Sequence, residues 1–169
     1  VGGGSVFMGI NAKEHYINDF SEELVQLYRY ISKSDKDFFG YVEAMDASWY
    51  KAENFYHENK DLVDVYLGFR SGQIDKESLK LYITNFCYNQ KGDIESILDN
   101  AFANKQCNLC KEIEANLFRK MVRMHELEIQ KHELPLKDLN DNLETAIKSA
   151  LYMNYRNLYN DRKMVVDNP

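Results

Sequence analysis

The sequence contains few cysteines and no long apolar run. Three cysteines in 169 residues are too few and too unevenly spaced for a disulfide framework, which agrees with a reducing compartment. No run approaches the ~18 apolar residues of a membrane span, and no signal peptide precedes the first glycines. We therefore expect a cytoplasmic protein with no membrane segment.

The motifs of several common enzyme classes are also missing. The chain has no nucleophile elbow for Ser/His/Asp chemistry, and its glycines are not followed by the Gly-Lys-Ser/Thr of a Walker loop. Cys107, Cys110, His125 and His132 superficially fit a zinc pattern. However, the two histidines would lie about 10 Å apart along one predicted helix, too far for ligands of a single zinc ion. We predict no metal site, and we disfavour hydrolase and NTPase functions.

Positive charge is not in excess. The formal net charge of -6 argues against a generic nucleic-acid binder, which normally carries a basic surplus. The charge is uneven, because residues 105–163 hold eleven Lys/Arg against nine Asp/Glu, whereas residues 1–104 hold ten against seventeen. Contacts with phosphates should therefore lie in the later part of the chain, although such a patch is also typical of a solvated helix face.

Four basic residues in this later part are candidates for contacts with the phosphates of a nucleic acid. They form two pairs on predicted helices, Arg119 with Arg123 and Arg156 with Lys163. The members of the first pair are one turn apart and those of the second pair two turns apart, so each pair can present charge along one helix face. Such contacts would position a duplex without reading its sequence.

Apolar residues recur at helical spacing along most of the chain. Val42, Met45 and Trp49 belong to a stripe that advances by three and four residues, which predicts a long helix in which these side chains are largely buried. Further stripes predict helices on both sides of Pro135, with the last one ending near Asn160. Together they predict a mainly α protein, a bundle of about five or six helices.

The chain begins with a glycine run, Gly2, Gly3 and Gly4, which lets backbone N–H groups approach a ligand without a Cβ in the way. A short β-prone stretch then ends at Asp19, where a Rossmann-like unit places the carboxylate that receives ribose hydroxyls. The alternative is a cloning scar or a frayed end. We predict a partial Rossmann-like element here, because this segment and a second possible strand at residues 164–166 cannot form a complete parallel sheet.

The order Val-Gly-Gly-Gly-Ser-Val-Phe, then Asn-Asp-Phe, then Glu-Glu-Leu-Val-Gln-Leu-Tyr resembles the cofactor motif of Dam-like DNA adenine-N6 methyltransferases. The resemblance implies that Gly2, Gly3 and Gly4 hold S-adenosylmethionine and that Asp19 binds its ribose. Residues 151–160 are similar to a segment that precedes the target-recognition region of that family. The family's upstream Lys- and Gly-containing motif, first strand and Asp-Pro-Pro-Tyr motif are absent, so we expect a fragment that is inactive by itself.

The resemblance implies a site-specific DNA methyltransferase that moves a methyl group from S-adenosyl-L-methionine to adenine in double-stranded DNA, with or without a partner restriction enzyme. Residues 1–34 would then be part of the cofactor element, residues 35–163 a helical insertion or DNA-recognition region, and residues 164–169 a tail. The alternative is a non-enzymatic helical interaction module, whose apolar seams bind another protein or a second copy as a homodimer.

Overall fold

The fold is known from a computed structural model, which describes residues 11, 13–14, 21–98 and 108–166, without the side chains of Glu23 and residues 158–166. This part of the chain contains α-helices and no strand. The helices are α1 (Glu22–Ser32), α2 (Lys36–Glu58), α3 (Asp61–Arg70), α4 (Lys76–Asn89), α5 (Lys91–Ile97), α6 (Leu109–Gln130) and α7 (Leu136–Val166). The prediction of a mainly α protein is confirmed.

Two details of the predicted architecture differ. The described residues form seven helices, rather than the five or six expected for the bundle. Residues 164–166 continue α7 instead of forming a strand, because a three-residue apolar run is compatible with either structure and the helix simply continues through it. The predicted Rossmann-like element, with its glycine run and Asp19, lies outside the described residues.

Local signals in the sequence set several of the helix starts. The Ser21 side chain accepts a hydrogen bond from the Leu24 N–H at 3.3 Å, and Asp75 caps α4 by accepting from the Ser78 N–H at 2.7 Å. Asn108 caps α6 through the Lys111 N–H at 3.1 Å. Each cap satisfies a backbone donor that has no partner within the helix.

Helix α6 lies at the centre of the core. Its buried side chains Ile113, Leu117, Met121 and Met124 repeat at steps of three and four residues and form one continuous apolar stripe. α6 packs against α7, α4 and α5. Helix α7 meets it with a stripe of its own, made of Leu139, Leu143, Ala146, Ile147 and Ala150.

The predicted burial of Val42, Met45 and Trp49 is wrong. Their exposed fractions are 43%, 41% and 44%. The buried stripe of α2 runs instead through Ser48 and Ala52 and on to the end of the helix. One residue step turns a helix by about 100°, so Trp49 lies beside this stripe and not on it.

Helix α2 is joined to α7 by polar contacts. Lys148 Nζ donates to Glu53 Oε2 at 2.9 Å and also to Glu144, and it lies 5.5 Å from the centre of the Trp49 ring. Burial alone would lower the pKa of Lys148, but its hydrogen bonds to the two carboxylates raise it above the usual value. The exposed Trp49 ring therefore packs against the Lys148 ammonium rather than an apolar core.

The chain divides into two compact units, residues 1–42 and residues 43–169. In the first unit the rings of Tyr30 and Phe38 stack, with their centres 5.6 Å apart. The second unit contains the core around α6. None of the helices in the described residues is long and apolar enough to cross a membrane.

We predict that Leu117→Ala lowers the free energy of unfolding by about 2–5 kcal/mol, because it leaves a cavity in the core. Leu117 is fully buried in α6, whereas Leu81 on α4 is 62% exposed. The matched change Leu81→Ala should therefore alter the stability by no more than about 0.5 kcal/mol. Urea unfolding followed by circular dichroism measures both, and equal losses would contradict a core centred on α6.

We also predict an acid-dependent contribution from Glu53. Its hydrogen bond with Lys148, together with the lysine charge, holds the pKa of this carboxyl below its usual range. A carboxyl whose pKa is lower in the folded chain stabilises the fold above the unfolded pKa and loses that effect as the pH falls through the folded value. Glu53→Gln should therefore flatten the fall in unfolding free energy between about pH 5 and pH 3.

The exposed Glu58 on the same helix provides the control for this measurement. Glu58→Gln removes the same charge, and among the described residues Glu58 has no lysine partner to lose, so this variant should show the same fall in unfolding free energy as the wild type. Identical profiles for the wild type and Glu53→Gln would show that the pair with Lys148 does not contribute to stability.

Candidate nucleic-acid interface

The structure describes only some of the predicted site residues. Gly2, Gly3, Gly4 and Asp19 lie outside the described residues. Arg119 and Arg123 are exposed on α6, and Arg156 is exposed on α7. Lys163 lies on the last turns of α7, and its side chain is not described.

The packing of α6 leaves one narrow strip of this helix open to solvent. The strip comprises Lys111, Ala115, Arg119, Arg123 and Glu126, all of which are exposed. These residues are four, four, four and three positions apart, so they follow one side of the helix. The buried stripe of α6 occupies the other side, and therefore the positions of the two arginines follow from the core packing.

A groove of about 820 Å³ runs along one side of this strip, between α4 and α6. We call it the larger groove. Lys80 on α4 and Lys111 on α6 contribute positive charge to its walls, together with Arg119 and Arg123. The other lining residues are apolar or acidic, namely Glu114, Ala115, Phe118, Val122 and Glu126.

A second groove, of about 320 Å³, runs along the other side of the strip, between α6 and α7. We call it the smaller groove. Arg119 and Arg123 line it as well, and Lys120 adds a third cation. Its remaining lining residues are Asn116, Ala146 and Ser149. The two arginines therefore lie on the ridge between the two grooves.

The charged groups of this surface differ in how they are held. Arg123 Nη1 lies 3.2 Å from Glu126 Oε2, an exposed ion pair within α6. Lys120 Nζ donates to Asn142 Oδ1 on α7 at 3.3 Å. Within the part of the chain that the structure describes, Arg119 has no carboxylate partner, so its guanidinium remains available to an anion.

The surface is locally basic in an acidic chain. Five cations line the two grooves against two carboxylates, although the whole chain has a net charge of -6. Three of these cations, Lys80, Lys111 and Lys120, were not among the predicted residues. The four-residue steps from Lys111 to Arg119 could have indicated Lys111, but only the packing of α4 against α6 places Lys80 here.

Three other polar groups in the described residues lie in surroundings that indicate a structural role. Buried Glu128 accepts hydrogen bonds from Tyr66 Oη at 2.6 Å and from the Leu134 N–H at 2.8 Å, which joins the segment after α6 to α3. Burial raises the pKa of the Cys87 thiol to about 12 and also raises that of Cys110. A thiol with a raised pKa is a poor nucleophile at neutral pH. Within the same residues, no three His, Cys, Asp or Glu side chains are grouped so that they could hold a metal ion.

The chain was compared with known protein families, curated proteins and solved structures. A model of the family described as D12 class N6 adenine-specific DNA methyltransferase matches residues 1–152. The match includes the N-terminal glycine run, α1 to α6 and the first half of α7. No curated protein and no solved structure matches the chain.

Proposed function

The chain belongs to the D12 class N6 adenine-specific DNA methyltransferase family, and on this premise we propose how its parts serve the methylation of adenine in DNA. The enzyme's reaction places a methyl group on the exocyclic N6 of adenine. The substrate is therefore DNA, and nothing in the comparisons supports a non-enzymatic interaction module. The proposal assigns a cofactor role to the N-terminal residues and a DNA-binding role to α6.

In this proposal, the N-terminal segment binds S-adenosyl-L-methionine. Gly2, Gly3 and Gly4 carry no side chains, so their N–H groups can approach a ligand closely, and Asp19 can accept hydrogen bonds from ribose hydroxyls. The bound cofactor supplies an activated methyl group. The Asp-Pro-Pro-Tyr motif does not occur in the sequence, and we assign no catalytic residue to this chain.

Arg119 and Arg123, on the exposed strip of α6, contact the DNA backbone in this proposal. The observation that carries it is the position of these two arginines on a ridge between two grooves, in a surface where cations outnumber carboxylates. A methyltransferase has to hold a duplex while one adenine leaves the base stack. Phosphate contacts from Arg and Lys supply most of the sequence-independent affinity for such a duplex.

A solvated helix face is the competing explanation for two exposed arginines. On an ordinary surface, cations and carboxylates are interspersed, and exposed pairs of opposite charge contribute little. Here cations outnumber carboxylates, and in the described residues Arg119 lacks a carboxylate partner. Exposed Arg156, further along α7, would extend the same basic region, and Lys163 follows it on the same helix.

We predict that reversing Arg119 and Arg123 to Glu in the active enzyme weakens DNA binding and reduces its dependence on salt. Each lost phosphate contact should lower the slope of log affinity against log salt by about one unit. The measurement is DNA affinity across a salt series. The control reverses Lys60 and Lys131, which are exposed and line neither groove. It produces the same change in net charge and should leave the slope near the wild-type value.

An unchanged slope in the Arg119/Arg123 variant would mean that this face is merely solvated. An equal fall in both variants would mean that net charge, and not this ridge, governs the affinity. Either result would remove α6 from the DNA interface.

We predict that Asp19→Ala lowers the affinity of the active enzyme for S-adenosyl-L-methionine, because the ribose loses a charged hydrogen-bond acceptor. Such a bond is worth about 1.5–3 kcal/mol, equivalent to a loss of about 10- to 150-fold. Calorimetric titration measures it. Asp37→Ala, on an exposed position of α2, is the control and should bind the cofactor normally. Unchanged affinity in Asp19→Ala would exclude Asp19 from the cofactor site.

A further inference from the structure

The two grooves beside the arginine ridge differ in their chemistry. Two carboxylates line the larger groove, and both are held in place. Thr84 Oγ1 donates to Glu114 Oε1 at 2.6 Å, and Glu126 pairs with Arg123 at 3.2 Å. Between them, half-buried Phe118 provides an apolar surface. A phosphodiester in this groove would meet two carboxylates as well as four cations and would lose solvation against Phe118, so its binding is less favourable here than in a groove without carboxylates.

The smaller groove presents groups that favour a phosphate. No Asp or Glu is among the described residues that line it. Lys120 is oriented by its hydrogen bond to Asn142 at 3.3 Å, which reduces the freedom that the lysine would lose on binding. Half-buried Asn116 adds an amide, and half-buried Ser149 adds a hydroxyl that donates to the Thr145 carbonyl at 2.7 Å and would turn from it to reach a phosphate. Such groups make many of the phosphate contacts in protein–DNA complexes.

We propose that one phosphodiester strand of the DNA lies in the smaller groove, where Asn116, Lys120 and Ser149 contact it together with the two arginines. This inference rests on the proposed function and deepens it, because it assigns the backbone to one of two available sites. Arg119 and Arg123 line both grooves, so their substitution cannot show which groove holds the strand. Substitution of residues that line only one groove can show it.

Helix α7 carries a further cation beyond the end of the smaller groove. Arg156 follows Ser149 by seven residues, which places it about 10 Å further along the helix and within about 20° of the same face. Arg156 is exposed. The strand that occupies the smaller groove would therefore continue along α7 toward Arg156, on the side of α6 that faces away from α4.

The test compares two lysines, each of which lines only one groove. Lys120→Gln and Lys80→Gln remove the same charge from the smaller and the larger groove, respectively. In the active enzyme, Lys120→Gln should lower the slope of log DNA affinity against log salt by about one unit, whereas Lys80→Gln should leave it unchanged. Thermal unfolding of each variant checks that the fold is retained.

A second pair places a new carboxylate in each groove. Ser149→Asp should repel a phosphate from the smaller groove and lower DNA affinity about tenfold or more, a cost of about 1.4 kcal/mol. Lys80→Glu, on the α4 wall of the larger groove and on a different helix from the two arginines, should have little effect. This pair keeps the proposal testable if Lys120→Gln unfolds.

The outcomes separate this inference from the proposed function. Effects confined to Lys80→Gln and Lys80→Glu, or equal effects in both grooves, would overturn the assignment to the smaller groove while α6 remains a DNA-binding element. If no groove variant alters the slope but reversal of Arg119 and Arg123 does, the arginines act without the groove and the inference fails alone. If that reversal also has no effect, the assignment to the smaller groove and the DNA-binding role of α6 both fail.

Discussion

The burial of α6 on several sides is the constraint on which the rest of the described structure depends. α7, α4 and α5 pack around it, and its stripe of Ile113, Leu117, Met121 and Met124 is almost entirely inaccessible to solvent. A helix enclosed in this way can expose only a narrow strip of its surface. Whatever α6 presents to a ligand must therefore come from that strip.

The same packing creates the surface that we assign to DNA. Side chains on neighbouring helices keep their axes about 8–10 Å apart, and so α4 and α7 form walls beside the strip rather than covering it. Arg119 and Arg123 consequently stand between two grooves of different composition. The apolar stripe and the basic ridge of α6 are two sides of one helix, and a change in its rotation would disturb both.

Polar contacts join helix α2 to α7. Helix α2 reaches α7 through Ser48 and Tyr155, whose hydroxyl oxygens are 2.9 Å apart, and through Lys148. A buried lysine between two carboxylates contributes less net stability than an equal area of apolar packing, because its desolvation offsets much of the attraction. Such contacts specify one alignment of the helices, since each donor has to meet its acceptor.

The sequence by itself determined the helical class, the helices on both sides of Pro135 and the family, because local spacing and short motifs carry that information. It also indicated Arg119 and Arg123 as neighbours on one helix. It could not show that Trp49 lies beside the buried stripe, since an apolar residue at helical spacing is compatible with either position. Only the tertiary structure placed Lys80 and Ser149 beside the arginines, because contacts between α4, α6 and α7 depend on how distant segments pack.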